Sequence, residues 1–288
     1  GVWLVLPVFG AIPFVMGATE ARAVDAFFEA MSGLTTTGST VFSGLEELPK
    51  GLLLWRGILQ WIGGIGIIVV AMVFLPELRV GGMQIFRSEG FETIFFIVTP
   101  TTEIASRIST IYLALTLICA LAYIVSGMNA FDATVHAMTT IATGGFANYD
   151  ASFGAFPPAS QYVAVIFMLL AALPFVRFVQ LTAGTARPLF QDSQVQVFLA
   201  IAAALAAILA LGQALAAGSV SEETLRASLF NGVSILTGTG YASANYMAWG
   251  AFAVALLFFA GLIGGCAGST SCSIKVFRYQ LLFASIRS

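Results

Sequence analysis

Six long runs of predominantly apolar residues alternate with shorter and more polar segments along the chain. An α-helix needs about 20 such residues to cross the hydrocarbon core of a bilayer. The runs therefore predict membrane-spanning helices, of which the first is short and the last is interrupted. The six runs are Val2 to Gly17, Leu52 to Leu75, Ile108 to Ser126, Tyr162 to Thr182, Val195 to Ala217 and Ala248 to Cys272.

Three shorter segments lie between these runs, so that the order long, short, long recurs. They are Ala23 to Thr35, Ala130 to Thr140 and Glu222 to Leu236. A helix of about 12 residues rises only ~18 Å, which is too short to cross the bilayer. These segments predict re-entrant helices that enter the membrane and return.

The three short segments are also similar to one another in sequence, and aligned without gaps they all end in Thr-Gly. The aligned blocks are FFEAMSGLTTTG (Phe27 to Gly38), ATVHAMTTIATG (Ala133 to Gly144) and LFNGVSILTGTG (Leu229 to Gly240). We predict an all-α polytopic membrane protein of repeated units, each a helix, a re-entrant pore helix, a filter and a helix. The predicted units are 1–81, 82–185 and 186–288, the last with a broken second helix.

The composition excludes a soluble globular domain and a nucleic-acid-binding protein. Hydrophobic residues make up 59% of the chain and charged residues 9%, whereas about a quarter of the residues in soluble domains are charged. The formal net charge is −2 and no basic block occurs, so nothing marks a nucleic-acid surface. The cysteines Cys119, Cys266 and Cys272 show no CxxC spacing and indicate buried small side chains rather than disulfides or zinc ligands.

The basic residues indicate an orientation in the membrane, because eight lie on the side opposite the short segments and four on the same side. By the positive-inside rule the first side is cytoplasmic. The eight residues are Arg79, Arg87, Arg107, Arg177, Arg187, Lys275, Arg278 and Arg287. The outer side carries more acidic than basic residues, and attraction of cations and ordinary solvation of loops both remain open for them.

Each Thr-Gly sequence offers non-helical backbone at membrane depth, which is tolerated only where protein or water surrounds it. Glycine permits positive φ, so that successive carbonyl groups can face one axis and replace the hydration shell of a cation. The sequence from Thr237 to Tyr241 reads TGTGY, close to the TVGYG pattern of potassium-channel filters. Close packing of small residues is the alternative, which we prefer for Gly63, Gly64 and Gly66 on the second long helix.

Ten consecutive small residues, Gly264 to Ser273, interrupt the sixth apolar run. Such a stretch has poor helix propensity and predicts a broken or mobile helix. Two interpretations are open: a gate beneath the filter, or a tightly packed kink. Lys275 and Arg278 follow the stretch, where they can meet the cytoplasmic interface.

Three polar residues within predicted membrane segments need separate interpretation. The only histidine, His136, is interpreted as a pore-helix residue near the outer surface rather than as a proton relay. Arg177 either carries a functional charge within the membrane or extends its side chain to the interface, and both interpretations remain open. Glu29 either attracts ions or caps a helix, and here too both remain open. The sequence contains no HExxH, GxSxG or Walker-type motif, and we expect no enzyme.

Five sequences carry a resemblance to a known family. They are SGLTTTGST (Ser32 to Thr40), LQWIGGIGIIV (Leu59 to Val69), TTIATGGF (Thr139 to Phe146), LTGTGY (Leu236 to Tyr241) and GGCAGST (Gly264 to Thr270). Along nearly its whole length the chain resembles the Trk/Ktr/HKT superfamily of potassium uptake proteins. Members fold as four pseudo-repeats around one ion path. The resemblance implies potassium uptake across the bacterial cytoplasmic (inner) membrane, through a carbonyl-lined selectivity filter with an intramembrane gating loop.

The resemblance also implies roles for individual residues, with K+ as the transported ion and no bound cofactor. It implies that Gly38, Gly144 and Gly240 are the filter glycines. Carbonyl groups beside them would come from Thr36, Thr37, Ala142, Thr143, Gly238 and Thr239. The implied gating loop comprises Gly264, Gly265, Cys266, Ala267, Gly268, Ser269, Thr270 and Ser271.

Two departures from the family pattern carry expectations of their own. The fourth repeat and the leading helices of the family have no counterpart in the sequence. We therefore expect a fragment with a truncated first repeat, which alone does not conduct selectively. Gating loops in the family usually end in Ala-Gly-Gly, whereas this chain has Ser271-Cys272-Ser273.

The resemblance further implies a homodimer in the lipid bilayer that binds a cytoplasmic nucleotide-binding regulatory subunit of the TrkA type, and no nucleic acid. Two alternatives come from other classes: a membrane assembly subunit that does not transport, and a membrane-embedded enzyme. Replacing Gly38 by Ser or Ala separates them, because a filter glycine determines ion selectivity whereas a packing glycine determines stability.

Overall fold

The computed structural model describes residues 2–17, 19, 21–74 and 101–287. Within these ranges the chain is helical, with three short 3-10 turns and no β-strand, so the all-α prediction is confirmed. The predicted boundary between the first two units, at residues 81 and 82, lies outside the described residues, as do Arg79 and Arg87. The division into units remains a prediction.

Twelve α-helices are described. In chain order they are α1 (Val2–Met16), α2 (Ala23–Leu34), α3 (Lys50–Phe74), α4 (Thr101–Val125), α5 (Ala130–Ile141), α6 (Pro158–Ala171), α7 (Phe175–Thr182), α8 (Arg187–Gln191), α9 (Ser193–Ala217), α10 (Glu222–Thr237), α11 (Ala251–Ile263) and α12 (Val276–Arg287). The predicted short segments correspond to α2, α5 and α10.

Each of these three helices packs between the two helices that flank it in its triple. The triples α1–α2–α3, α4–α5–α6 and α9–α10–α11 are each in mutual contact. Contacts between triples follow one rule, because α5 packs on α3 and α10 packs on α6. The last helix of one triple therefore supports the short helix of the next, which brings the ends of the three short helices together.

Two described helices, α4 over Ala105–Val125 and α9, are long and apolar enough to span a membrane, and the pair α6 and α7 is a third candidate. The run from Tyr162 to Thr182 is not the single straight helix that its hydropathy predicts, since α6 and α7 meet at 91°. The break falls at Pro174, which has no backbone N–H to donate and disfavours helical geometry in the preceding residue.

The core is aromatic where the second triple meets the third. The ring of Phe153 lies 4.4 Å from that of Tyr241, 5.2 Å from Phe230 and 5.5 Å from His136. In contrast, large apolar side chains on outward faces are exposed, among them Leu121 on α4 and Phe258 on α11. An apolar outer face is expected of helices whose solvent is lipid.

Candidate functional site

Each short helix ends in a loop of the same backbone design. We call residues 35–38, 142–145 and 237–240 the first, second and third TG loops. In each, a backbone N–H near the loop centre donates to the carbonyl five residues earlier, which closes the C-terminal turn of the helix. These bonds run from Thr37 to Ser32, from Gly144 to Thr139 and from Thr239 to Ser234, each at 2.9 Å.

The backbone angles give the register of the three loops. Positive φ recurs at two positions, first at Thr36 (53°), Thr143 (49°) and Gly238 (74°), and then at Gly38 (81°), Gly145 (79°) and Gly240 (85°). Gly145 therefore stands where Gly38 and Gly240 stand, and Gly144 is equivalent to Thr37 and Thr239. The gapless alignment differs from this register by one residue and misses Gly145. The sequence did hint at this register, because two adjacent glycines, Gly144 and Gly145, allow either alignment of the second loop.

Neighbouring TG loops touch through these glycines. A Cβ atom on Gly38 would collide with the carbonyl oxygen of Gly144, and one on Gly145 would collide with that of Thr239. The glycine of the first loop thus lies against a carbonyl of the second, and the glycine of the second lies against a carbonyl of the third. Around Gly240 the described residues leave open space for a Cβ.

A buried ion pair supports the first two loops from behind. The Nε atom of Arg56 on α3 lies 2.8 Å from Oε1 of Glu29 on α2, and the two side chains are 1% and 0% exposed. Glu29 also accepts hydrogen bonds from Thr40 Oγ1 at 2.8 Å and from the Val41 N–H at 3.1 Å. Arg56 Nη1 donates to the carbonyl of Ala147 at 2.7 Å. Glu29 therefore neither caps a helix nor faces solvent as an ion attractor.

The Tyr241 hydroxyl joins the chain after the third loop to α5, and the His136 imidazole binds residues on either side of the second loop. The Tyr241 hydroxyl contacts Thr139 Oγ1 at 2.5 Å and Thr140 Oγ1 at 3.2 Å. His136 accepts a hydrogen bond at Nε2 from the Asn148 N–H at 3.3 Å, so that Nδ1 donates to the Asp132 carbonyl at 2.8 Å. The imidazole is 0% exposed. The histidine lies in the short helix as predicted, with its ring inside the protein, and its position near the outer side of the membrane remains a prediction.

The small-residue loop, residues 264–275, packs against the break between α6 and α7. The Cys266 N–H donates to the Ala172 carbonyl at 2.9 Å, and the Phe175 N–H donates to the Gly268 carbonyl at 3.0 Å. Thr270 Oγ1 bonds the Ala171 carbonyl at 3.0 Å. Two interruptions in helical hydrogen bonding therefore satisfy each other, which membrane-depth backbone requires.

The small-residue loop also touches the third TG loop directly. Ser271 Oγ donates to the Thr237 carbonyl at 2.7 Å and accepts from the Gly265 N–H at 2.9 Å. The Cys272 sulfur lies 3.9 Å from the Gly238 carbonyl oxygen. A Cβ atom built on Gly238 would collide with this sulfur. The predicted break after Ile263 is therefore present, and its chain lies against the end of α10.

Polar contacts at the helix ends are largely pairwise. Arg177 pairs with Asp192 at 2.8 Å, which gives that arginine a partner within the protein. At the start of α10, Glu222 accepts from Arg226 Nε at 2.8 Å and from the Tyr162 hydroxyl at 2.9 Å. Two hydrogen bonds lower the pKa of the Glu222 carboxyl, of which the bond from Arg226 has the larger effect and the bond from Tyr162 the smaller.

Two of the three glycines of α3 for which close packing was predicted, Gly63 and Gly64, are closely packed, whereas the described residues make no close contact at Gly66. A Cβ on Gly63 would collide with the carbonyl of Leu34, and one on Gly64 would press on the Tyr112 hydroxyl and Ala142. Among the described residues, no atom lies within 4 Å of a Cβ built at Gly66. Gly63 and Gly64 thus allow α3 to approach the end of α2 and the second TG loop closely.

Chemically, the TG loops offer adjacent backbone carbonyls, threonine hydroxyls and no charged side chain within their residues. Carbonyl oxygens held at such close quarters can replace the water shell of an alkali cation. At positive φ, successive peptide groups no longer point along one direction as they do in a helix. Glycine adopts positive φ without steric cost.

The chain is similar in sequence to known cation transport proteins. A family model described as TrkH, a cation transport protein, matches residues 2–288. The Trk system potassium uptake protein TrkI of Halomonas elongata is 44% identical over 288 residues, covering 99% of the chain and 58% of the relative. The Trk system potassium uptake protein TrkH of Vibrio parahaemolyticus is 40% identical over 288 residues, covering 97% of the chain and 59% of the relative.

A solved structure agrees with the fold. The crystal structure of the potassium transporter TrkH from Vibrio parahaemolyticus matches with a TM-score of 0.87 and 38% identity, over 99% of this chain and 59% of that chain. The chain therefore spans less than two thirds of the length of these relatives. The predicted superfamily resemblance is confirmed, and the chain belongs to the TrkH family of cation transport proteins.

Proposed function

We propose that the chain takes part in potassium uptake and that its three TG loops form sides of one K+-selective filter. The contact of Gly38 with the Gly144 carbonyl, repeated between Gly145 and the Thr239 carbonyl, carries this proposal. A contact that recurs from loop to loop is the arrangement expected of units placed around an axis. The names of the relatives, which are potassium uptake proteins, support K+ as the ion.

In this mechanism a K+ ion sheds its water at the TG loops and is coordinated by backbone carbonyls. Gly38, Gly145 and Gly240 are the filter glycines in the observed register, and Gly144 supplies a carbonyl as Thr37 and Thr239 do. The other carbonyl groups come from Thr36, Ala142, Thr143 and Gly238.

The open face at Gly240 bears on the shape of the filter. Gly38 and Gly145 each lie against a neighbouring carbonyl, whereas the described residues leave the equivalent space at Gly240 free. We propose that a further loop of the same kind packs there and completes the coordination of the ion. A filter closed on every side keeps the ion away from lipid.

The small-residue loop is proposed as the gate. The loop lies next to the third TG loop, where Ser271 contacts Thr237, the last residue of α10, and Cys272 contacts Gly238. Loss of these contacts would move the loop away from the ion path. The bacterial cytoplasmic membrane, a homodimer and a regulatory subunit of the TrkA type follow from the family resemblance and are part of the proposal.

Potassium uptake tests the filter. Gly38→Ala and Gly145→Ala should each lower the K+ uptake of potassium-uptake-deficient bacteria at least tenfold at equal amounts of protein in the membrane, because the new methyl group meets a carbonyl of the next loop. Gly66→Ala is the matched control, since it adds the same methyl group on α3 at a position where none of the described atoms lies within 4 Å. The full-length protein is used throughout.

Two results would contradict the proposal. If both loop variants reached the membrane and retained uptake and K+ over Na+ preference, the TG loops would not be the filter. A protein that reached the membrane and supported no K+ uptake without any substitution would instead favour the non-transporting assembly subunit. The variants therefore separate a wrong site from a wrong function.

A further inference from the structure

The second TG loop lacks a side-chain contact that the other two possess. In the first loop, Thr35 Oγ1 and Thr37 Oγ1 are hydrogen-bonded at 2.8 Å, and in the third loop Thr237 Oγ1 and Thr239 Oγ1 are bonded at 2.8 Å. The equivalent residues of the second loop are Ala142 and Gly144. No hydroxyl pair is available there, and Gly144 has no side chain to stiffen its peptide groups.

A side chain from another unit fills this space. Gln60 of α3 is 0% exposed, and its Nε2 donates to the Gly144 carbonyl at 2.7 Å while its Oε1 accepts from the Phe146 N–H at 3.0 Å. A Cβ built on Gly144 would collide with the terminal atoms of the Gln60 carboxamide. Glycine at 144 and glutamine at 60 therefore depend on each other for space.

The two bonds of Gln60 hold the peptide groups on both sides of Gly145. Because the Phe146 N–H is a donor, it fixes the carboxamide with Oε1 toward Phe146 and Nε2 toward the Gly144 carbonyl. Arg56, one turn earlier on α3, holds the Ala147 carbonyl that follows. Helix α3 thus fixes the path of the second TG loop from residue 144 to residue 147.

We propose that Gln60 is a positioning residue that sets the cation preference of the second TG loop, in place of the threonine pair in the other two loops. This inference depends on the proposed filter. A carbonyl oxygen has two lone pairs, so the Gly144 oxygen can accept from Gln60 and still face an ion. Without the carboxamide that oxygen is free to move inward, and a looser ring of carbonyls discriminates less between K+ and Na+.

A double-mutant cycle in the full-length protein tests this role. Gln60→Ala should lower the K+ over Na+ preference of uptake about tenfold, the size of one buried hydrogen bond lost. Gly144→Ser should lower the same K+ over Na+ preference by a similar factor, because its side chain meets Gln60. In the double variant the serine enters the space left by Gln60, so that both defects should be smaller than the product of the single effects. Gln213→Ala, half-buried on α9, is the control for loss of a carboxamide.

The outcome separates this inference from the proposed function. Selectivity is measured as the ratio of K+ to Na+ uptake at equal membrane amounts, which a purely structural role of Gln60 would leave unchanged. An unchanged ratio in Gln60→Ala, or multiplicative effects in the double variant, would overturn the role of Gln60, whereas loss of uptake in Gly38→Ala and Gly145→Ala would still support the filter. Failure of the unsubstituted protein to transport K+ would overturn both.

Discussion

At the scale of single residues, the TG loops combine backbone strain with side chains that hold the strain in place. Thr36 and Thr143 adopt positive φ although they are β-branched, a conformation that costs about 1–2 kcal/mol for a residue other than glycine. Such residues persist where the surroundings determine the backbone more strongly than local preference. Here Glu29, Arg56 and Gln60 supply that constraint, because each bonds the chain that leaves a TG loop.

The buried ion pair gives a prediction about stability. Glu29→Gln leaves the Arg56 guanidinium buried without its counter-charge, which we expect to destabilise the protein by about 3–5 kcal/mol. The midpoint of heat-induced aggregation of the detergent-purified protein should fall clearly. Glu47→Gln removes an exposed carboxylate and should leave the midpoint unchanged. Equal midpoints for the two variants would mean that the pair does not stabilise the first two loops.

Individual residues differ in how far the sequence predicts them. The Thr-Gly sequences are local signals, and they locate all three TG loops at the ends of short helices. The register of the second loop is not local, because two adjacent glycines leave it open until the backbone bond from Gly144 to Thr139 is known. Gln60 was missed for the same reason, since it lies 84 residues from its partner Gly144 and only the packing of α3 brings them together.

At the scale of elements, two broken helices stabilise each other. The break before α7 frees the carbonyls of Ala171 and Ala172, and the small-residue loop after α11 supplies N–H and hydroxyl donors to them. Pro174 was a usable signal for the bend, whereas hydropathy alone reads the run as one span. The pairing of the two breaks could not be predicted, because it joins segments about 95 residues apart through contacts that no periodicity records.

The contact between the small-residue loop and α10 predicts an effect on gating. Ser271→Ala removes the hydrogen bond to the Thr237 carbonyl and the acceptor of the Gly265 N–H. Losing about 1 kcal/mol of closed-state stability should raise the maximal K+ uptake rate about fivefold. Initial rates at saturating K+ measure this effect, with Ser106→Ala, exposed on α4, as the control. An unchanged or lower rate in well-expressed Ser271→Ala would favour the packed kink over the gate.

At the scale of the whole molecule, helix packing repeats around the ends of the short helices. The last helices of the first and second triples each carry the next short helix. The second and third TG loops each present a carbonyl to the glycine of the loop before. Long apolar runs and the recurring order of helices predicted this fold class from the sequence. The sequence predicted six membrane-spanning helices. Among the described residues, two helices, or three with the bent pair, have the length and hydropathy of a span.

Rubidium flux into liposomes that contain the purified full-length protein is the sharpest test of a filter formed by the TG loops. We expect external K+ to suppress ⁸⁶Rb⁺ uptake and the same concentration of Na+ not to do so, because carbonyls spaced for K+ hold the smaller ion less well. Gly145→Ala should abolish the flux, and Gly66→Ala should retain it. Equal suppression by Na+, or full flux in Gly145→Ala, would contradict a K+-selective filter formed by the TG loops.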